Sequence, residues 1–433
     1  MYIKDQCALT PPMGWNSWDC YAATVTEEQL LQNAEYMRKN LLSFGWEYIV
    51  CDIQWYEPLA GTGEGEYRSF AYLHMDEYSR LIPAENRFPS ATDGKGFGPI
   101  AEKIHKMGLK FGIHIMRGIP RQAVHERTAI KTPFKTADKI ADPFSICRWN
   151  SDMYGVDPSK SGSQEYYNSL FELYASWGVD YVKVDDICNT NMYPHAPYSG
   201  KKEIELIRNA IDACGRPMVL SLSPGPALIQ EAWHLVKNAN MWRITDDFWD
   251  TWPLLLDMFR RCELWQAHVR AGSWPDCDML PLGYIGLGFK RPRYTNFTRD
   301  EQITLMTLWC IFRSPLMMGG VLPDNDEWTL SLLTNKEVLD VLKLGRNPRQ
   351  IYRNSEQAIW ASSAGKGAVN LALFNLGETP RIIHCPLRLL SIDRADLRDL
   401  WAGLDRDRVV GEITAELVPH GAALFRVSPQ NKG

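Results

Sequence analysis

A chain of 433 residues with 45% hydrophobic and 23% charged side chains has the composition of a soluble globular protein and is too long for one ordinary core, so two domains are expected. A formal net charge of −5 with no basic block argues against nucleic acid and anionic membrane surfaces as partners. The N-terminus holds no apolar stretch of signal-peptide length, and the longest apolar run, residues 303–312, is too short to span a bilayer, so a cytoplasmic location and no membrane association are expected.

The first candidate strand covers residues 13–15. Thr26 and Gln29 then have the spacing of a capping box, and Leu30, Ala34, Met37 and Leu41 share one helical face before Gly45 ends the helix. A strand at 48–52 follows. The same grammar repeats down the chain. Ile100, Ile104 and Met107 mark a helix closed by Gly108 ahead of a strand at 110–114. Leu170, Leu173 and Trp177 mark another, closed by Gly178 ahead of 181–185, and Gly215 precedes 218–222. Candidate strands at 241–245, 273–274 and 315–318 bring the number to eight.

Strands alternating with helices imply parallel pairing by right-handed crossovers. Eight such units predict a (β/α)8 barrel with enlarged loops, its site at the strand ends where Trp15, Asp52, His114, Asp185, Ser223, Asp246 and Asp276 fall. An open doubly wound sheet is the competing fold, and the absence of GxGxxG after the first strand counts against it. Beyond residue 345 helical periodicity weakens. Short strand-like runs at 358–361, 368–374 and 422–427 predict an antiparallel β-sandwich, read as a structural cap in preference to a sugar-binding module. The domains are therefore drawn as a catalytic barrel at 1–340 and a sandwich at 345–433.

The sharpest chemical signal is Tyr181-Val182-Lys183-Val184-Asp185-Asp186. On a strand Tyr181, Lys183 and Asp185 point to one side, and burying a lysine and an aspartate there costs energy unless the charges offset each other. A second strand, from Met241, also ends in a carboxylate pair, Asp246-Asp247. Two strands delivering carboxylates to one mouth supply what glycoside hydrolysis needs. The 16 tryptophans fit both a large core and sugar stacking. The ten cysteines show no CxxC pair. Cys51 and Cys310 read as buried apolar residues, and no disulfide framework is expected. Nine histidines include no HxH or HExxH arrangement, so no metal and no cofactor is expected. Two rival classes remain: a barrel hydrolase holding Mg²⁺ through Asp52, Asp185, Asp246 and Asp276, and a silent glycan-binding protein.

Four segments in order carry a resemblance. Pro11-Pro12-Met13-Gly14-Trp15-Asn16-Ser17-Trp18, Lys183-Val184-Asp185 with Cys188, the run from Trp242 to Trp249, and the run from Gly272 to Leu280 are similar to motifs of glycoside hydrolase family 27, the α-galactosidases and α-N-acetylgalactosaminidases. The resemblance covers nearly the whole chain and implies a barrel plus sandwich and retaining hydrolysis of a small-molecule glycoside or a glycan's non-reducing end. It implies Asp185 as nucleophile, Asp246 as acid/base with Asp247 as the alternative, and Trp15, Asp52, Lys183 and Arg243 as glycone contacts. Lys183 would keep Asp185 ionised. His114 stands where relatives often have tyrosine, and reads equally as a sugar ligand or a packed ring. Where many members have two adjacent carboxylates this chain has Asp52-Ile53, which leaves recognition of O4 and O6 in question. Ser223 resembles the type that leaves room for a 2-acetamido group. That places α-N-acetylgalactosaminide slightly ahead of α-galactoside, with β-L-arabinopyranosides and α-glucans as alternatives. Relatives often bridge the cysteine near the nucleophile; here Cys147 is the candidate partner of Cys188, and two free thiols are preferred. The reading also admits a homo-oligomer.

Overall fold

The computed structural model describes residues 2–63, 66–190 and 193–430. Eight strands form one parallel sheet: β1 (Met13–Asn16), β2 (Tyr48–Cys51), β3 (Lys110–Met116), β4 (Tyr181–Asp185), β5 (Val219–Leu222), β6 (Met241–Arg243), β7 (Trp274–Asp276) and β8 (Leu316–Met318). Their order is β7-β6-β5-β4-β3-β2-β1-β8. A parallel bridge between Leu280, just past β7, and Met318 of β8 curls the sheet toward closure. All eight expected strands are present, within a few residues of their expected ends.

Side-chain alternation divides the barrel into two cores. Tyr48, Val50, Tyr181, Val219, Met241, Trp274 and Met317 fill its interior. Their neighbours Ile49, Cys51, Val182, Val184, Leu220 and Leu222 point outward into the layer of helices. The expected helices form for the expected reasons. The Thr26 hydroxyl accepts from Gln29 N and the Gln29 side chain accepts from Thr26 N, while Leu30, Ala34, Met37 and Leu41 are fully buried. Gly45 supplies the left-handed turn, at φ +99°.

The C-terminal region has more strands than the sequence pattern reveals: β9 (Arg346–Arg353), β10 (Gln357–Gly365), β11 (Ala368–Asn375), β12 (Arg381–Pro386), β13 (Arg394–Asp399), β14 (Leu404–Val410), β15 (Glu412–Leu417) and β16 (Ala422–Pro429). Six form the sheet β9-β10-β11-β16-β13-β14, and β12 pairs with β15 above it. The strands foreseen, within β10, β11 and β16, are the central ones, buried on both faces. One face (Ile359, Leu371, Leu373, Phe425) meets Ile383, Cys385 and Ile413 of the smaller sheet. The other (Trp360, Ala372, Phe374, Leu424) belongs to the barrel's own core, with Phe374 edge-on to Phe259 at 4.9 Å and Trp360 edge-on to Phe312 at 6.1 Å. Two further features were not foreseen. They are a three-stranded antiparallel sheet in the connection between β3 and β4, and a hairpin of Tyr284–Ile285 with Arg293–Tyr294 after β7. Among the described residues no helix is long and apolar enough to cross a membrane.

The helix Arg299–Phe312, which carries Phe312 to the sandwich, opens with a full capping box. The Thr298 hydroxyl accepts from Glu301 N and the Glu301 carboxylate from Thr298 N. Thr298→Ala removes the first of these bonds and is expected to cost about 1 kcal/mol, read as a lower thermal midpoint by calorimetry.

Candidate active site

The interior parity that places Tyr181 in the barrel core carries Lys183 and Asp185 to the C-terminal mouth on the same side. In register, Lys183 lies beside His114 of β3 and Ser221 of β5, and Asp185 beside Met116. Asp52 follows the end of β2, and Arg243 closes β6 beside Asp276 of β7. Asp52, Lys183, Asp185, Arg243, Asp246 and Asp247 all border one cavity of about 280 Å³. Five aromatic residues wall it: Trp18, Tyr67, Trp149, Phe248 and Trp249. Trp18 stacks on Tyr67 with centroids 6.1 Å apart, and Tyr67 leans on Trp149 at 5.5 Å.

Asp52, Lys183, Asp185 and Arg243 each meet a partner of opposite charge or a hydrogen-bonding ring in the floor of this cavity. Lys183 Nζ donates to Asp52 Oδ2 at 2.9 Å, which also accepts from Asn16 Nδ2 at 2.7 Å. Burial alone would raise the Asp52 carboxyl, but Lys183, His114, the Ile53 amide and Asn16 hold it below the usual range. Asp185 Oδ2 lies 3.0 Å from His114 Nε2, and Asp185 Oδ1 accepts from Asp186 N at 2.8 Å. Burial again pushes upward. It is outweighed by the hydrogen bond and electrostatic pull of His114, then by Lys183 and the Asp186 amide, so the Asp185 carboxyl sits far below the ordinary aspartate value. Lys183 and Arg243 are both held more firmly cationic than usual. Burial opposes this and is overcome for Lys183 by Asp52 and Asp185, and for Arg243 by Asp278 and Asp247. Arg243 reaches Asp278 at 3.0 Å and Asp247 at 2.8 Å.

The structure assembles Asp52, Lys183, Asp185, Arg243 and Asp246 as expected and sets three residues apart. Trp15 does not border the cavity. It lies on the outward face of β1, fully buried, with its indole N–H donating to Gly320 O at 2.9 Å. Strand parity turns its neighbour Asn16 inward instead, and the tryptophan at the cavity is Trp18, three residues further on in the same motif. His114 is fully buried behind Asp185 and contacts the carboxylate, not the cavity. Ser223 borders only a void of about 10 Å³ beneath the cavity, while the next residue, Pro224, forms the cavity wall. Asp186 turns away at φ +53° to pair with Arg117 at 3.0 Å. Tyr67, Trp149 and Trp249 were not foreseen. Tyr67 and Trp149 lie in long irregular connections where no periodicity assigns them a side.

The carboxylate pair Asp246-Asp247 divides its work. Asp246 Oδ1 accepts from Asp247 N at 3.0 Å. The charge of Asp247 bears on Glu66, Tyr67, Asp19 and Asp278, all cavity residues. Tyr67 also feels Asp185 and Asp52. All ten cysteines are free thiols, including Cys147 and Cys188. Among the described residues no group of three or more His, Cys, Asp or Glu side chains is arranged to hold a metal ion.

A family model described as alpha galactosidase A matches residues 158–343, and one for the alpha galactosidase C-terminal beta sandwich domain matches 354–427. Among solved structures, a GH27 β-L-arabinopyranosidase from Geobacillus stearothermophilus is 56% identical with a TM-score of 0.96, each chain covering 99% of the other. A candidate α-N-acetylgalactosaminidase from Bacillus halodurans is 53% identical with a TM-score of 0.88, each covering 98%. Among curated relatives, an α-galactosidase of Coffea arabica is 28% identical over 99% of this chain and 96% of its own.

Below the cavity, Asp276 is buried with its carboxyl raised to about 7, by burial first and then by the charge of Asp278. Its folded value lies above the unfolded one, near 3.8. The native state therefore holds this proton more tightly, and the stabilisation, full below pH 4, is lost as pH rises to 7. Asp276→Asn does not titrate. From pH 5 to pH 8 the stability difference should move in the variant's favour by roughly 1–3 kcal/mol, read from urea midpoints of both proteins.

Proposed function

The chain belongs to glycoside hydrolase family 27, and on that premise we propose that it is a retaining exo-glycosidase releasing a terminal β-L-arabinopyranosyl unit. In this reading the Asp185 carboxylate attacks the anomeric carbon. The C1–O bond to the leaving group breaks, and a proton passes from the acid to the departing oxygen. Water, deprotonated by the same residue, then displaces Asp185 and restores the configuration. The observation that carries the reading is Asp185 itself, buried at the strand end, bordering the cavity and held ionised by His114 and Lys183. A nucleophile must be unprotonated, and this one is far below its usual range.

We assign the acid/base to Asp247, the alternative to Asp246. Its carboxylate borders the same cavity as Asp185, Arg243 fixes its position, and both charges bear on Tyr67. The Asp52–Lys183 pair offers a charged acceptor and donor for ring hydroxyls, and Trp18 offers a face for sugar C–H groups. The choice of pentose rests on two observations. The 56% identical relative is named for that activity. β-L-Arabinopyranose also has the ring configuration of α-D-galactose without the hydroxymethyl group, and this chain has Ile53 where many relatives place a second carboxylate. Ser223 lies beneath the cavity and Pro224 forms the wall, so the small side chain of Ser223 does not itself open space for a 2-acetamido group.

Kinetics on paired substrates test these roles. Asp185→Ala should abolish turnover of 4-nitrophenyl β-L-arabinopyranoside with folding intact. Asp247→Ala should slow substrates with poor leaving groups by about 10²–10⁴-fold and spare activated aryl glycosides, whose leaving group needs no proton. Asp246→Ala should leave that ratio unchanged; the reverse pattern returns the acid/base role to Asp246. Across a panel of aryl glycosides, kcat/KM for β-L-arabinopyranoside should exceed those for α-galactoside and α-N-acetylgalactosaminide about tenfold or more, as expected for a poorly accommodated extra group. A preference for either galactoside would overturn the substrate assignment. Proton NMR should show the released sugar first in the anomeric form of the substrate.

A further inference from the structure

A second cavity, of about 430 Å³, adjoins the first, and Glu66 and Trp249 border both. Its far side is the turn of the hairpin Tyr284–Ile285/Arg293–Tyr294. That turn is built rigidly. Gly286 N donates to Asp19 O at 2.8 Å and Gly288 N to Cys20 O at 2.9 Å, which ties the turn to the segment carrying Trp18. A Cβ at Gly288 would fall 2.0 Å from Tyr21 O, so the two backbones touch there. Phe289 stands edge-on to Trp18 at 5.3 Å and to Trp249 at 5.5 Å, so one aromatic wall runs from the catalytic cavity into the second.

Three cations project from the turn: Lys290, Arg291 and Arg293. Asp250 already holds Arg293 through both of its carboxylate oxygens. Lys290 and Arg291 make no side-chain hydrogen bond or ion pair among the described residues. Glu66 is the one acidic side chain among the described residues bordering this cavity. Among the described residues bordering this cavity, two cations without an ion-pair partner stand against one carboxylate, a balance suited to a monoanion.

We propose that this cavity is the leaving-group subsite and that it takes a uronic acid, its ring on Trp249 and Phe289 and its carboxylate paired with Lys290 and Arg291. The inference rests on the proposed exo-glycosidase reading, because an exo-acting enzyme needs room for the remaining glycan beside the glycone cavity. The volume lies within the range of ordinary small-molecule sites and holds a sugar ring. Aromatic faces bind sugar C–H groups, and an arginine fork beside a lysine matches a carboxylate in both geometry and charge.

Calorimetric titration of the full-length protein tests this without turnover, using galacturonate, its methyl ester and galactose 6-sulfate. Galacturonate should bind about tenfold more tightly than the ester at low salt, and 0.5 M NaCl should shrink that advantage. Lys290→Ala/Arg291→Ala should remove it, and Lys290→Glu/Arg291→Glu should invert it, with unchanged thermal midpoints showing that both variants fold. Equal binding of acid and ester, or a preference that survives both variants, would overturn the proposal. Tighter binding of the sulfate would overturn the uronate assignment. A protein inactive on every aryl glycoside would refute the catalytic reading and leave this binding result intact.

Discussion

Lys183 governs the architecture of this site. It sits at the mouth of the barrel with only 12% of its side chain exposed, where an unpaired ammonium is costly. Asp52, delivered by β2, answers it at 2.9 Å, and Asn16 of β1 occupies the same carboxylate oxygen. Two strands and the lysine's own are thereby held in register by one charge. The remaining interior charges extend the pattern: Asp185 against His114, and Arg243 against Asp278 and Asp247. Each carboxylate satisfied in this way is also fixed in position, so the cavity's polar lining is pre-arranged before any ligand enters. Pre-arrangement of this kind lets a site stabilise charge in a transition state without reorganising at that moment.

The second domain bears on the same mouth from a distance. Its sheet packs Trp360 and Phe374 against Phe312 and Phe259, on the helices Arg299–Phe312 and Trp252–Trp265. The latter helix follows directly on the loop that carries Asp247 and Trp249. At its start, Trp252 stacks face to face on His420 of the sandwich at 3.6 Å. The sandwich thus braces the element that sets the position of one cavity wall.

The barrel was legible because its strands are short apolar runs, punctuated by glycines, that alternate between two apolar environments. Parity and the family resemblance together place Asp185 at the mouth and Asp186 away from it. The failures have equally physical origins. Trp15 was carried over as a sugar contact from its motif, but alternation along β1 turns it outward and leaves Trp18 at the cavity. β14 went unseen because nearly all of its surface is exposed and its run Leu404-Asp405-Arg406-Asp407-Arg408 carries no apolar alternation. Tyr67 and Trp149 became site residues through contacts between distant loops, which no local pattern encodes.

Adjacent carboxylates at both strand ends show how one short sequence serves two ends. After Asp185 the backbone enters the left-handed region at Asp186, φ +53°, a conformation costing a non-glycine residue roughly 1–2 kcal/mol. That turn swings the second carboxylate out of the cavity and onto Arg117, which Glu203 of the neighbouring helix also holds at 3.0 Å. The first carboxylate is left facing the cavity, its oxygens occupied by His114 and the Asp186 amide. At Asp246-Asp247 the first residue likewise caps its neighbour's amide and the second likewise meets an arginine, Arg243, but here both carboxylates border the cavity. Whether the second carboxylate faces the cavity is set by where that guanidinium lies and by how the chain turns, which is why the doublet alone did not disclose it.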